Sequence, residues 1–165
     1  RDLHSFPTRR SSDLSGNIGS KKRMDYTMIG DGVNLAARLE SSCKQYGAHI
    51  LISEFTYKKL RGTYRIREMD LAVHKGKTQP VSVYEVLDYH TEETYPHLVD
   101  AMGYFRDGLN KYRTKHFAPA KALFEQVLRL NPNDKTALLY TERCDVLMAN
   151  PPPEDWCGVW VMEEK

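Results

Sequence analysis

Asn34 and Arg38 are the residues whose types and spacing point most directly to chemistry. They stand four positions apart, just after the Gly30-Asp31-Gly32 turn, in the run Met24–Glu40. If a helix begins near Asp31, the two side chains lie one turn apart on one face and reach a common point. An amide and a guanidinium near a helix N-terminus suit an anion, because unbonded N–H groups and the helix dipole favour negative charge there. At helical steps of about 100°, Leu35, Leu39, Cys43 and Tyr46 gather on one side. Asn34, Arg38, Ser41 and Gln45 gather on the other. The same pattern describes an amphipathic helix whose polar face simply meets water, and spacing alone does not separate the two.

The wording of the stretch goes further than its spacing. Tyr26, Gly30, Asp31, Val33, Asn34, Ala36 and Arg38 resemble the Y-x-x-x-G-D-x-V-N-x-A-x-R pattern of class III nucleotidyl cyclases, the adenylate and guanylate cyclases. The resemblance covers Gly16 to about Tyr89 and corresponds to the C-terminal half of a cyclase catalytic domain. It implies a ferredoxin-like α/β palm, here N-terminally truncated, that works as a homodimer with ATP at the interface. The implied reaction is intramolecular: the ribose 3′-oxygen attacks the α-phosphorus and pyrophosphate leaves. In the family, the positions of Asn34 and Arg38 orient the ribose and stabilise the pentavalent phosphate. Arginine suits that task because its fork can give two parallel bonds to phosphate oxygens.

Two more site residues rest on the resemblance. Lys75, in His74-Lys75-Gly76-Lys77, matches a family lysine that contacts the terminal phosphates; by itself such a loop reads as a solvated turn. Thr27 stands where the family places a base-reading side chain. Its hydroxyl can donate and accept, which points to ATP over GTP, although a β-branched residue also suits a strand with no ligand. Ala37 departs from a serine common in the family and points away from Asn34 and Arg38. No metal ligand is assigned: Asp31 reads as a helix cap, and the family's metal-binding aspartates lie upstream. The Mg²⁺ or Mn²⁺ ligands, and a lysine partnering the Thr27 position, are therefore expected in the missing half. The chain alone is expected to be inactive. The alternative reading is a non-catalytic cyclase-like module whose helical tail binds a protein.

The elements that must hold these residues follow from periodicity. Arg1–Leu14 is basic and serine-rich, looks like a translated sequencing-adaptor stretch, and reads as a non-native or disordered arm. Residues 15–89 read as the partial cyclase domain. Gly16–Ser20 and Tyr26–Ile29 form a hairpin through a basic bend at Lys21–Arg23. A helix from Asp31 to Tyr46 stops at Gly47. Ile50–Ile52 is a strand, Ser53 caps a short helix over Glu54–Leu60, and Tyr64–Met69 alternates, with a continuation through Val73 left open. Val81–Leu87 is a strand with Val81, Val83, Glu85 and Leu87 on one side.

A linker at 90–94 leads to an all-α extension at 95–150. Three helical stripes appear there: Leu98, Met102, Phe105, Leu109 and Tyr112; then Phe117, Ala120, Phe124, Val127 and Leu128; then Ala137, Tyr140, Cys144 and Leu147. Gly108, Phe117, Ala120, Phe124 and Pro132 are similar in spacing to a tetratricopeptide repeat, while Asp107 and Lys111 depart from it. The extension is expected to dock on a neighbour, with Gly16–Tyr89 keeping its fold without it. Residues 151–165 form an apolar tail in which Trp156–Met162 packs on the helices or on a partner chain.

Composition bounds the rest. The 165 residues carry a net charge of +2, with 41% hydrophobic and 28% charged residues. So small a charge argues against nucleic acid or an anionic membrane surface, and no apolar run is long enough to span a bilayer. Three cysteines show no metal-ligand spacing, and Cys43 is expected to be a buried thiol. A reducing cytoplasm is the expected compartment.

Overall fold

A computed structural model describes residues 14–20, 23–73 and 80–159. Two compact units divide the chain, Arg1–Ser41 and Ser42–Lys165. The division falls inside a single helix, α1 (Asp31–Tyr46).

The first unit holds an antiparallel hairpin of β1 (Leu14–Ser20) and β2 (Arg23–Ile29), paired from Leu14↔Ile29 to Ser20↔Arg23. The expected hairpin is therefore present, with both strands starting earlier in sequence than expected. Arg23, expected in the bend, begins β2, while Lys21 and Lys22 lie outside the described residues. The first turn of α1 follows β2 at once. Its two faces are those the sequence predicts: Leu39 and Tyr46 are buried, and Asn34, Arg38, Ser41 and Gln45 are exposed. Cys43 is half-buried rather than buried. Gly47 ends the helix at φ +67, a left-handed conformation that glycine adopts without steric cost.

The second unit holds a three-stranded antiparallel sheet in the order β3 (Leu51–Ser53), β5 (Pro80–Val86), β4 (Ile66–Val73). Ser53 caps α2 (Glu54–Tyr57) by accepting from the Thr56 amide. That helix is shorter than the expected span to Leu60. On β5, Val83 and Glu85 are buried, as is Leu87 just beyond its end. In β4 the register shifts between Glu68 and Asp70. The bulge lets Met69 and Asp70, adjacent in sequence, both be buried.

The same unit holds three helices, α3 (Leu98–Arg113), α4 (Phe117–Leu130) and α5 (Lys135–Ala149). Their expected stripes form one core with Leu87 and Tyr95, in which the rings of Phe105, Phe124 and Tyr140 contact one another. A Cβ on Gly108 would sit 2.9 Å from a Phe124 ring carbon, so glycine allows α3 and α4 to approach this closely. Trp156 packs on Tyr112 and Phe117, as expected of the apolar tail; residues 160–162 lie outside the described residues.

The helices do dock, and the neighbour is β4 of the same chain. Arg113 on α3 gives a forked pair of bonds to Glu68, at 3.0 and 2.7 Å. The Tyr140 hydroxyl donates to the carbonyl of Met69 at 2.7 Å, at the bulge. Arg143 Nη1 donates to Asp70 at 2.7 Å. The expectation that Gly16–Tyr89 keeps its fold without the helices has to be set against these contacts with β4. Without the helices, Arg67 would lose Asp134 and Asp70 would lose Arg143.

Candidate functional site

Helix α1 exposes the two candidate residues because its opposite face is apolar. Leu39 and Tyr46 fix which side is buried, and Asn34 and Arg38, one turn apart, are left on the exposed side. The Asn34 amide donates to Gly30 O at 3.0 Å, so the helical ladder already runs through the Gly-Asp-Gly turn. On the same side, Ser41 Oγ returns to the Ala37 carbonyl at 3.0 Å, an i−4 bond within the helix. An exposed amide and guanidinium therefore stand side by side near the start of a helix that directly follows a strand.

The remaining candidates are placed less fully. Thr27 occupies β2 opposite Gly16 in the register, two residues before the strand ends at Ile29. It thus belongs to the same strand–turn–helix unit as Asn34 and Arg38. Lys75 lies outside the described residues. No group of three or more His, Cys, Asp or Glu side chains that could hold a metal ion occurs among the described residues.

Sequence reasoning missed the polar residues buried in the second unit. Arg67 donates through Nε to Glu85 at 2.8 Å and through Nη1 and Nη2 to Asp134 at 2.5 and 3.3 Å. Asp134 also accepts from the Tyr95 hydroxyl at 2.5 Å and from the Ala137 amide at 2.9 Å, the latter as the cap of α5. Burial alone would raise the Asp134 carboxyl, but the Arg67 charge and these donors outweigh it and hold it below its ordinary value. Glu85 is paired with the same Arg67, but burial prevails there, with the Asp134 charge adding to it, and its carboxyl is raised. A second buried group joins Tyr46, Asp70 and Arg143. Thr136 and Arg143 sit at core spacing with Tyr140 and Leu147 on α5, and that polar interruption of an apolar stripe was the available signal.

No family profile matches the chain. It is similar to the adenylate cyclase, terminal-differentiation specific, of Dictyostelium discoideum, at 35% identity over 135 residues, 79% of this chain and 6% of that protein. It is also similar to an adenylate cyclase of Anabaena cylindrica, at 41% identity over 80 residues, 47% of this chain and 16% of that protein. A crystal structure of the adenylyl cyclase CyaB from P. aeruginosa matches 46% of this chain and 38% of that one at 40% identity, with a TM-score of 0.38. The chain spans at most 16% of the length of these two curated relatives. The Dictyostelium match of 135 residues is longer than everything up to Tyr89, so it extends into the α3–α5 helices.

Proposed function

The chain carries a class III adenylate cyclase segment, and from that premise we propose that it supplies the ribose- and phosphate-contacting side of a site that cyclises ATP. The observation that carries this reading is the exposed Asn34–Arg38 pair, one turn apart near the start of α1. In the reaction the ribose 3′-oxygen forms a bond to the α-phosphorus, the bond to the leaving pyrophosphate breaks, and the 3′ proton departs. Arg38 gives its fork to phosphate oxygens as charge builds on them, and Asn34 orients the ribose. Thr27 reads the purine edge, and Lys75 meets the terminal phosphates.

Phosphoryl transfer of this kind depends on positioning and on stabilising charge spread over oxygens. A divalent cation, Mg²⁺ or Mn²⁺, would neutralise part of the triphosphate charge. The described residues do not fit it, since none of them form a cluster able to hold a metal, and its ligands belong to a complementary half of the site. A homodimer in the cytoplasm is the proposed setting. No helix among the described residues is long and apolar enough to cross a membrane. The helices engage β4 of their own chain through Arg113, Arg143 and Tyr140. This favours a part of the cyclase-bearing unit over a separate partner-binding module.

The test is made in the full-length enzyme containing this chain. Asn34→Ala and Arg38→Ala should each lower kcat by about 10²–10³, the scale for losing one preorganised transition-state donor. Unchanged kcat, with folding verified by circular dichroism, would return both residues to a solvated helix face.

A further inference from the structure

Beyond α5 the chain doubles back over the helices. Pro151, Pro152 and Pro153 lack the N–H groups that would extend the helix, and residues 151–159 run as a strap to the turn between α3 and α4. There Lys115 Nζ donates to the carbonyls of Pro153 and Glu154 at 2.8 and 2.6 Å. The Pro153 carbonyl also accepts from the Trp156 amide at 3.2 Å, closing a turn in the strap. The Trp156 ring sits in a notch between Tyr112 and Phe117, 5.2 and 5.8 Å from their ring centres, and its Nε1 donates to the carbonyl of Val159 at 2.9 Å. Gly158 is buried at φ +90, and a Cβ on it would lie 3.0 Å from Arg113 Cγ. Glycine is thus what lets the strap lie against the end of α3.

The strap has little hold beyond these points. Pro151, Pro153, Glu154, Asp155 and Cys157 are exposed, and a segment with few buried contacts opens at far lower cost than a core does. Its anchors nevertheless touch two of the links between the helices and β4. Tyr112, against Trp156, meets Tyr140 edge-on at 5.0 Å, and Tyr140 donates to the Met69 carbonyl. Arg113, against Gly158, carries the fork to Glu68. The two routes end on adjacent residues, at the bulge of β4. All of these residues lie in the Ser42–Lys165 unit.

We propose that Tyr112, Phe117 and Lys115 form a binding site for an extended, tryptophan-bearing peptide, filled in this chain by its own residues 151–159, and that filling it braces the bulge of β4. The recognition chemistry is an indole edge-on to two rings, with an ammonium donating to main-chain carbonyls. A strap held this way makes the grip of the helices on the sheet adjustable without unfolding either. The brace stands whether or not Asn34 and Arg38 act on nucleotide.

The test begins with hydrogen exchange on the full chain carrying Lys115→Met or Trp156→Ala. Lys115→Met removes the two carbonyl contacts and leaves the rings in place. Amides of residues 154–159 should exchange about tenfold faster in it, and those of 66–71 severalfold faster, while the centre of α4 keeps its rate. Trp156→Ala should have the same pattern, more strongly. Faster exchange of the strap alone would overturn the brace, and equal acceleration throughout Ser42–Lys165 in both variants would reduce the strap to ordinary core packing. A fluorescein-labelled peptide of residues 150–159, added to the Trp156→Ala chain, should bind and return the β4 amides to wild-type rates. The wild type, with its notch filled, should bind that peptide about tenfold more weakly or worse. The same peptide with alanine in place of tryptophan should not bind. No binding to the Trp156→Ala chain, or equal binding of both peptides, would overturn the site.

Discussion

If Thr27 reads the purine edge as proposed, its single hydroxyl, which both donates and accepts, limits how sharply it distinguishes adenine from guanine. A site built to hydrogen-bond one base leaves a buried polar group unpaired with the other, and that cost is the source of discrimination. Another side chain, in the complementary half of the site, would share the task. In the full-length enzyme ATP should be preferred, and Thr27→Cys should weaken the preference by about 1–3 kcal/mol. The comparison is kcat/KM for ATP and GTP in both proteins. A wild type preferring GTP would remove the adenylate assignment and leave cyclisation standing. Asn34 and Arg38 differ from Thr27 in that a sequence period marks them. Their exposure follows from the apolar face opposite them, which the period of Leu35, Leu39 and Tyr46 already wrote into the sequence.

At the scale of elements, legibility follows burial. The α1 faces, the alternation of β5 and the stripes of α3–α5 each bury one side, and one-sided burial leaves a period that can be read. Strand β4 does not. Its bulge at Met69 breaks the alternation, and it buries Arg67 and Asp70, whose types argue for a surface. Neither the partners of those charges nor the docking of the helices could be read, because each pair joins residues far apart in sequence: Arg67 to Asp134, Glu68 to Arg113, Asp70 to Arg143. The face of Arg67 also lies over the Phe105 ring, 4.7 Å from its centre. Arg67→Met should therefore do more than remove a cation. It leaves Glu85 and Asp134 as two buried acids with no shared countercharge, at a cost of about 3–5 kcal/mol, the range for breaking a buried pair from one side. Urea unfolding of the full chain measures it. A loss under 1 kcal/mol would mean that the Tyr95 hydroxyl and the Ala137 amide suffice to satisfy Asp134.

At the scale of the molecule, these acids make stability depend on pH in two opposed ways. Asp134 titrates below its ordinary value in the folded chain, where the Arg67 charge and its donors overcome the effect of burial. Glu68 is lowered too, with the Arg113 fork outweighing burial. For a depressed carboxyl the folded state binds its proton more weakly than the unfolded chain does. The stability it gives is complete above the unfolded value, about 3.9 for aspartate, and is lost as pH falls through the depressed folded value. Glu85 has the opposite sign. Burial raises it, so the folded chain holds its proton more tightly, and its contribution is lost as pH rises from about 4.3 through the raised folded value. Stability of the full chain should therefore decline in acid because of Asp134 and Glu68, and Glu85 should subtract from it on the neutral side. Urea midpoints measured from pH 3 to 8 test both limbs. Asp134→Asn should lower the midpoint at neutral pH, since Arg67 loses a partner, and flatten the acid limb. Glu85→Gln should flatten the neutral one. An acid limb of unchanged slope in Asp134→Asn would show that Asp134 binds its proton equally in the folded and unfolded chain, and that the Arg67 pair adds no net ionic stabilisation between β4 and α5.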